Sequence, residues 1–237
     1  KVMKVIIVIP TLNEKKNVNI LIKKILKISK NFDLLFIDDN SNDGTQAEII
    51  KKKRENNRIK YIFRKRKFGV GSAHKDGLIY AYRKGYKIAI TMDSDGTHDP
   101  KYIPILIRNL YGYSLVITNR FKLKDSLKDW PLFRKILTTA RYYLINFLLN
   151  ISYDTSGAFR CYDLNKIKKK DILLAKNNSY SFFWESTFIL HKKKYKIKDI
   201  PVNLPSRKLG SSKMKFRDIL GALLYLFFYS VKRFIKL

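Results

Sequence analysis

Cysteine is almost absent. Cys161 stands alone among 237 residues, so no disulfide can form within the chain and nothing points to an oxidising compartment. Histidine is nearly as rare: His74, His98 and His191 are scattered, and with a single cysteine they argue against a zinc site. No apolar run reaches the roughly 18–20 residues that a membrane-spanning helix needs. No signal-peptide pattern opens the chain. Two phosphate-binding signatures are also missing, since neither G-x-G-x-x-G nor a Walker A motif follows the first predicted strand. Acids are outnumbered, with 19 Asp and Glu against 50 Lys and Arg, a formal net charge of +31. Such a balance fits nucleic acid or an anionic membrane face, where each well-placed Lys or Arg contributes about 1 kcal/mol. It also fits a compositional bias that places lysine on solvated helix faces, as at Lys51 to Lys53 and Lys168 to Lys170. Charge alone therefore assigns no partner.

What is present is a core. Hydrophobic residues make up 46% of the chain and fall in regular runs. Val5 to Ile9 reads as a strand closed by Pro10, and Val18, Leu21, Ile22 and Ile25 repeat at helical spacing. Leu34 to Ile37 is a second strand. Thr45-Gln46-Ala47-Glu48 has the form of a capping box opening a second helix. Ile59 to Phe63 is a third strand, and Ser72 to Lys84 a helix with Gly77 at a point of close packing. Lys101 to Leu110 and Ser114 to Thr118 add a helix and a fifth strand. Alternation of this kind predicts an α/β protein with a mostly parallel central sheet flanked by helices. Beyond it lie a long apolar helix from Leu132 to Leu149, a strand or turn from Ser156 to Tyr162, a helix from Phe182 to His191 and a strand from Tyr195 to Val202. Ile219 to Val231 is almost wholly apolar with basic flanks, which suits either a packed helix or one lying in a membrane interface.

The most informative stretch is Ile88 to Pro100. Ile88, Ala89, Ile90 and Met92 form an apolar strand, Gly96 breaks it, and Asp99-Pro100 is an N-cap followed by proline in the first helical position. Asp93 and Asp95 are two apart, so in extended chain both side chains point to one side, at the carboxyl end of the sheet where α/β ligands bind. Paired carboxylates with no cation repel each other. Mg²⁺ or Mn²⁺ accepts carboxylate and phosphate oxygens together.

Together the motifs form an ordered set: Pro10-Thr11-Leu12-Asn13-Glu14, Ile37-Asp38-Asp39-Asn40-Ser41-Asn42-Asp43-Gly44-Thr45, Met92 to His98, Asn119-Arg120-Phe121, Ser156-Gly157-Ala158-Phe159-Arg160 and Arg207 to Lys213. In this set the chain resembles family 2 of the inverting glycosyltransferases, and within it the dolichyl-phosphate mannosyltransferase group. Glu185 matches that family's late acidic position. The resemblance implies a GT-A fold, a nucleotide-sugar donor (GDP-mannose is favoured), a polyprenyl-phosphate acceptor and no nucleic-acid partner. By motif match it implies that Pro10, Leu12, Glu14, Ile37 and Asp39 line the base site, and that Met92, Asp93, Ser94 and Asp95 contact the donor. The same match implies that Asp93, Asp95 and Thr97 stand at the metal. Arg120, Arg134, Arg207 and Lys213 contact phosphates, with Arg134 carried over by its spacing from Arg120. The catalytic set is Asp93, Asp95, Arg120, Arg207 and Lys213. Leu12 stands where the family usually has Tyr, and Thr97 where it often has Gln.

A phosphate monoester acceptor is already ionised at neutral pH and needs no general base. What the reaction needs is positive charge, which arginine supplies through its planar fork. The expected organisation is a catalytic domain over residues 1–213 and an apolar, basic helix over residues 214–237, on a cytoplasmic protein peripheral to the cytoplasmic face of a membrane. The charged loop Phe121 to Asp129 is expected to be mobile and to cover the donor. Asp154 and Glu185 are expected as partners of Arg160. Three other readings compete: transfer to a hydroxyl acceptor, for which Asp154 is a candidate base; a basic nucleic-acid-binding protein; and a nucleotidyltransferase, which also uses paired acids with a metal but needs a glycine-rich phosphate loop after the first strand that is missing here.

Overall fold

The computed structural model describes residues 4–207, 209 and 216–235. In chain order the first half runs β1 (Val5–Thr11), α1 (Lys15–Ile28), β2 (Asp33–Asp38), α2 (Thr45–Glu55), β3 (Ile59–Phe63), α3 (Val70–Arg83), β4 (Ile88–Thr91), α4 (Ile103–Asn109) and β5 (Leu115–Asn119). The second half adds α5 (Leu132–Leu149), β6 (Arg160–Asp163), α6 (Lys169–Leu173), α7 (Ser181–Lys192), β7 (Ile197–Pro201) and α8 (Phe216–Ile235).

The strands form one sheet in the order β3-β2-β1-β4-β6-β5-β7. Every pairing is parallel except those of β6, which runs antiparallel to both β4 and β5. Strands buried on both faces read as unbroken apolar runs, and alternate residues feed two cores. Val5, Ile7 and Ile9 pack with Leu21, Ile22 and Ile25 of α1 and Leu106 of α4. Ile6, Val8 and Ile37 pack with Ala73 and Leu78 of α3 and Phe182 of α7 on the opposite face. Gly77 of α3 is required by this second layer, because a Cβ there would lie 2.1 Å from Val8 Cγ1. A third cluster joins α5, α7 and α8 through Ile145, Leu149, Trp184, Phe188 and Leu226.

Four details differ from the sequence reading. The first is Thr45, which caps nothing: its hydroxyl donates to Asp43 and accepts from the Glu14 amide at 2.9 Å, and Gly44 occupies the cap position in the left-handed region. That bond ties the start of α2 to the end of β1. Secondly, the loop after β5 is pinned: the Ser126 hydroxyl donates to Val202 O at 2.8 Å and Trp130 Nε1 donates to Leu204 O at 3.0 Å. The third is Arg160, wholly buried, which donates to the carbonyls of Gly157 and Thr155 rather than to Asp154 or Glu185. Finally, Glu185 accepts the amides of Lys176 and Asn177 and the hydroxyl of Tyr225, so it fastens α8 to the body.

Candidate functional site

The carboxyl ends of β1, β2 and β4 lie side by side, as their register dictates. Each ends in polar residues that the sheet cannot absorb. After β2, Asp38 is completely buried and acts as a fastener. It accepts from the Thr11 hydroxyl at 3.0 Å, the Ser41 amide at 2.9 Å and Gln46 Nε2 at 2.7 Å. Asp39 turns the other way. It pairs with Arg64 and accepts the amides of Phe68 at 3.0 Å and Gly69 at 3.1 Å, which sets the basic loop after β3.

After β4, Gly96 takes φ +80°, a conformation with no steric penalty for glycine. The chain therefore folds back. Thr97 donates to Asp95 Oδ1 from its amide at 3.0 Å and its hydroxyl at 2.7 Å. Asp99 Oδ1 accepts from the Lys101 amide at 3.0 Å with Pro100 opening the turn, as the sequence indicates. His98 Nδ1 accepts the Asp93 amide at 2.9 Å, which fixes the loop from beneath. Burial pushes the His98 pKa down to about 4, so the ring is neutral, as an acceptor must be.

Arg207 reaches across from the segment after β7. Its Nε donates to Asp95 Oδ2 at 2.9 Å, its Nη2 donates to the same oxygen, and its Nη1 lies 3.9 Å from Glu14 Oε1. Glu14 is held in turn by Asn17 Nδ2 at 2.6 Å. Burial opposes the charge on Asp95, but His98, the Thr97 hydroxyl and Arg207 hold its pKa below the usual carboxylate value. Burial, and then the Asp95 charge, raise the pKa of Asp93. Two carboxylates thus feel each other strongly at one place, and that place already draws a cation in the form of a guanidinium. A divalent metal fits it: the donors are carboxylate oxygens, Thr97 orients one of them, and hard cations take such oxygens. Among the described residues no group of three or more His, Cys, Asp or Glu is placed to hold a metal ion by itself.

Arg120, at the end of β5, is buried. Its Nε donates to Asp154 Oδ2 at 2.7 Å, its amide donates to the same oxygen at 3.3 Å, and Ser156 Oγ donates to Asp154 Oδ1 at 2.9 Å. Gly157 leaves room for the guanidinium, since a Cβ there would lie 2.9 Å from Arg120 Nη2. Burial works against the charge on Asp154, but Arg120 holds its pKa below normal. Arg134 opens α5 with its guanidinium 3.8 Å above the Trp130 ring, and its pKa is lowered by burial and by Arg207 and Arg120.

The structure thus brings Glu14, Asp93, Asp95, Thr97, Arg120, Arg134 and Arg207 to one end of the sheet. Pro10 and Leu12 sit at the end of β1 and just beyond it, and Ser94 is buried between the two aspartates. Ile37 and Met92 are wholly buried in the cores, which leaves only their main chain for a ligand. Thr97 supports Asp95 through its hydroxyl. Lys213 lies outside the described residues. Sequence reasoning passed over three neighbours. His98 accepts the Asp93 amide. Tyr180, before α7, has its pKa raised to about 12 by burial and by the Asp93 charge. Arg141 stands two turns after Arg134 on α5; the seven-residue spacing was the available signal.

Comparison with known proteins agrees with this geometry. Residues 6–196 match the model of glycosyl transferase family 2. The chain is 27% identical over 223 residues to a polyprenol monophosphomannose synthase of Mycolicibacterium smegmatis, covering 92% of this chain and 83% of that protein. It is 27% identical over 213 residues to an undecaprenyl-phosphate mannosyltransferase of Micrococcus luteus, covering 90% and 88%. Among solved structures it is similar to glucosyl-3-phosphoglycerate synthase of Mycobacterium tuberculosis in complex with Mn²⁺, uridine diphosphate and phosphoglyceric acid. The TM-score is 0.63 at 17% identity, over 95% of this chain and 78% of that one, which shows a shared fold. The chain belongs to glycosyl transferase family 2.

Proposed function

We propose that this glycosyltransferase moves a mannosyl unit from GDP-mannose to the phosphate of a polyprenyl lipid, with inversion at the anomeric carbon. The observation that carries the choice of acceptor is the state of Asp154. A hydroxyl acceptor needs a base, and the candidate base is buried, paired with Arg120 and capped by Ser156. A phosphate needs no base, and its charge suits the arginines gathered here. The names of the two curated relatives support the lipid phosphate and mannose.

In this reading Asp93 and Asp95 hold Mg²⁺ or Mn²⁺, which neutralises charge on the departing diphosphate when bound. Thr97 and His98 keep the two aspartates in place. Pro10, Leu12, Glu14 and Asp39 border the base and ribose. Arg207, released from Asp95, and Lys213 meet the diphosphate, and Arg120 and Arg134 meet the acceptor. A phosphate oxygen attacks the anomeric carbon from the face opposite the leaving group. Preorganised cations stabilise the charge that develops as the bond breaks.

The acceptor's lipid tail requires a membrane, and the fold offers a surface for one. Among the described residues no helix is long and apolar enough to cross. Instead α5 and α8 pack together and expose large apolar residues, among them Phe133, Phe147 (84% exposed), Leu224, Phe227 and Phe228. A monomer seldom leaves so much apolar surface to water. Helices of this kind lie in the headgroup region, and a net charge of +31 favours an anionic leaflet. We place the protein on the cytoplasmic face.

The test is sugar transfer by the purified chain with a panel of nucleotide sugars, polyprenyl phosphate or unphosphorylated polyprenol, with and without EDTA. Transfer that requires the phosphate and stops with EDTA is expected, as is loss of turnover in Asp93→Asn and Asp95→Asn. Transfer to polyprenol, or donor hydrolysis indifferent to lipid, counts against the proposal. Binding to anionic vesicles that disappears in Phe227→Glu/Phe228→Glu checks the membrane surface.

A further inference from the structure

Arg141 is the cation in this cleft with the least to do. It sits on α5 at positions i+7 from Arg134 and i+3 from Thr138. Thr138 and Ile145, on the same stripe, are buried, so this face of α5 looks into the body. The neighbour of Arg141 is tied to the neighbour of Arg120: the rings of Phe121 and Tyr142 stack with centroids 4.1 Å apart. Yet the two arginines are treated differently. Arg120 has Asp154. Arg141 has its Nε buried without a partner, and among the described residues no hydrogen bond or ion pair holds its guanidinium. Asp154 is already spent on two N–H groups of Arg120 and on Ser156. Arg120 and Arg141 thus share the field of one carboxylate, which Arg120 holds.

The residue is half-buried, and a buried donor such as its Nε left without an acceptor is costly. Burial and the Arg120 charge lower the Arg141 pKa to about 10, so it remains charged at neutral pH. An arrangement of this kind is at ease when a ligand brings the missing anion. Helix α5 also indicates which anion. Along α5 the half-buried Arg141 and the exposed Arg134 lie beside a strip that exposes Phe133, Leu137, Leu144 and Phe147 to solvent. One helix therefore carries two cations next to an apolar surface. That matches an amphiphile with a phosphate head and a hydrocarbon tail better than it matches a nucleotide. Arg207, by contrast, stands on the Asp95 and Glu14 side.

We infer that Arg141 is a binding residue for the acceptor, donating with Arg120 to the phosphate monoester dianion of the lipid. The inference rests on the proposed acceptor class and adds a residue that decides affinity for its head group. A dianion engaging two planar forks forms charge-assisted bonds that a neutral alcohol cannot.

The experiment measures binding of citronellyl phosphate, citronellol and GDP with Mn²⁺ to the full chain, in wild type, Arg141→Gln and Arg141→Lys. Thermal unfolding of each variant is followed alongside. Arg141→Gln is expected to weaken citronellyl phosphate at least tenfold, to change GDP affinity less than twofold, and to leave the melting temperature unchanged or higher, because an unpaired buried N–H has gone. Arg141→Lys is expected to recover part of the loss. Equal binding of citronellyl phosphate by Arg141→Gln and wild type overturns the inference and leaves the proposed function standing. An equal loss for GDP overturns it in favour of a donor-diphosphate contact. A wild-type chain that binds no isoprenoid phosphate overturns both.

Discussion

Arg207 occupies the place proposed for the metal, and replacing it should move two affinities in opposite directions. Its Nε and Nη2 both donate to Asp95 Oδ2, and its Nη1 lies 3.9 Å from Glu14. The Arg207 side chain is 22% exposed and that of Asp95 8%. Hydrogen bonds to charged groups contribute about 1.5–3 kcal/mol when sheltered. Partial exposure and the entropy of a long side chain reduce the pair to about 1–2 kcal/mol in total. A divalent cation approaching Asp95 must first displace this guanidinium. Arg207→Gln should therefore tighten Mn²⁺ binding to the donor-free protein by about 5–30-fold, at ~1.4 kcal/mol per decade. With GDP present the sign reverses. The displaced arginine then meets phosphate oxygens, so the variant should bind the GDP·Mn²⁺ pair about tenfold more weakly, the loss of one charge-assisted contact. Free Mn²⁺ measured by electron paramagnetic resonance, with and without GDP, reads both. A variant that binds Mn²⁺ no better than wild type without nucleotide refutes the reasoning.

Three further outcomes follow from buried groups. Asp154→Ala strands the Arg120 charge beneath the cleft and should cost about 3–5 kcal/mol of stability in urea unfolding; a loss under about 1 kcal/mol would show that water rescues the arginine. His74 is wholly buried with neither ring nitrogen partnered, and burial pushes its pKa down to about 3. Above an unfolded pKa of about 6.5 its contribution is intact. Below that value the unfolded chain takes a proton the fold refuses, so stability falls by up to ~1.4 kcal/mol per pH unit towards pH 3. In metal-free protein, wild type should lose about 2 kcal/mol more than His74→Leu between pH 7 and pH 5, and parallel curves would contradict this. Gly77→Ala should destabilise by about 1–3 kcal/mol through overpacking against Val8. Adding Val8→Ala should restore part of the loss, and an unchanged melting temperature in the single variant would show that the helix shifts freely.

What the sequence by itself determined was whatever depends on local periodicity and short spacing. Short apolar runs at Val5 to Ile9 and Ile88 to Ile90, bounded by turn residues, read as strands buried on both faces. The i, i+2 spacing of Asp93 and Asp95 is legible as well, although both stand in the bend beyond β4 rather than within the strand. Asp99-Pro100 caps its turn through its own neighbours, and Gly77 announced a close approach. The tertiary structure decided the pairings between residues far apart in the chain. Thr45 has the local pattern of a capping box, yet its hydroxyl goes to Asp43 and to Glu14, which only the adjacency of β1 and β2 brings within reach. Asp154 was matched with Arg160, but the antiparallel turn into β6 delivers it to Arg120. Phe121 to Asp129 is charged and looks loose, but Val202 and Leu204 hold it from 74–78 positions along the chain. Arg207 lies 112 residues from Asp95. No spacing rule reaches that distance; only the closing of the sheet, with β7 beside β5, sets a guanidinium against that carboxylate.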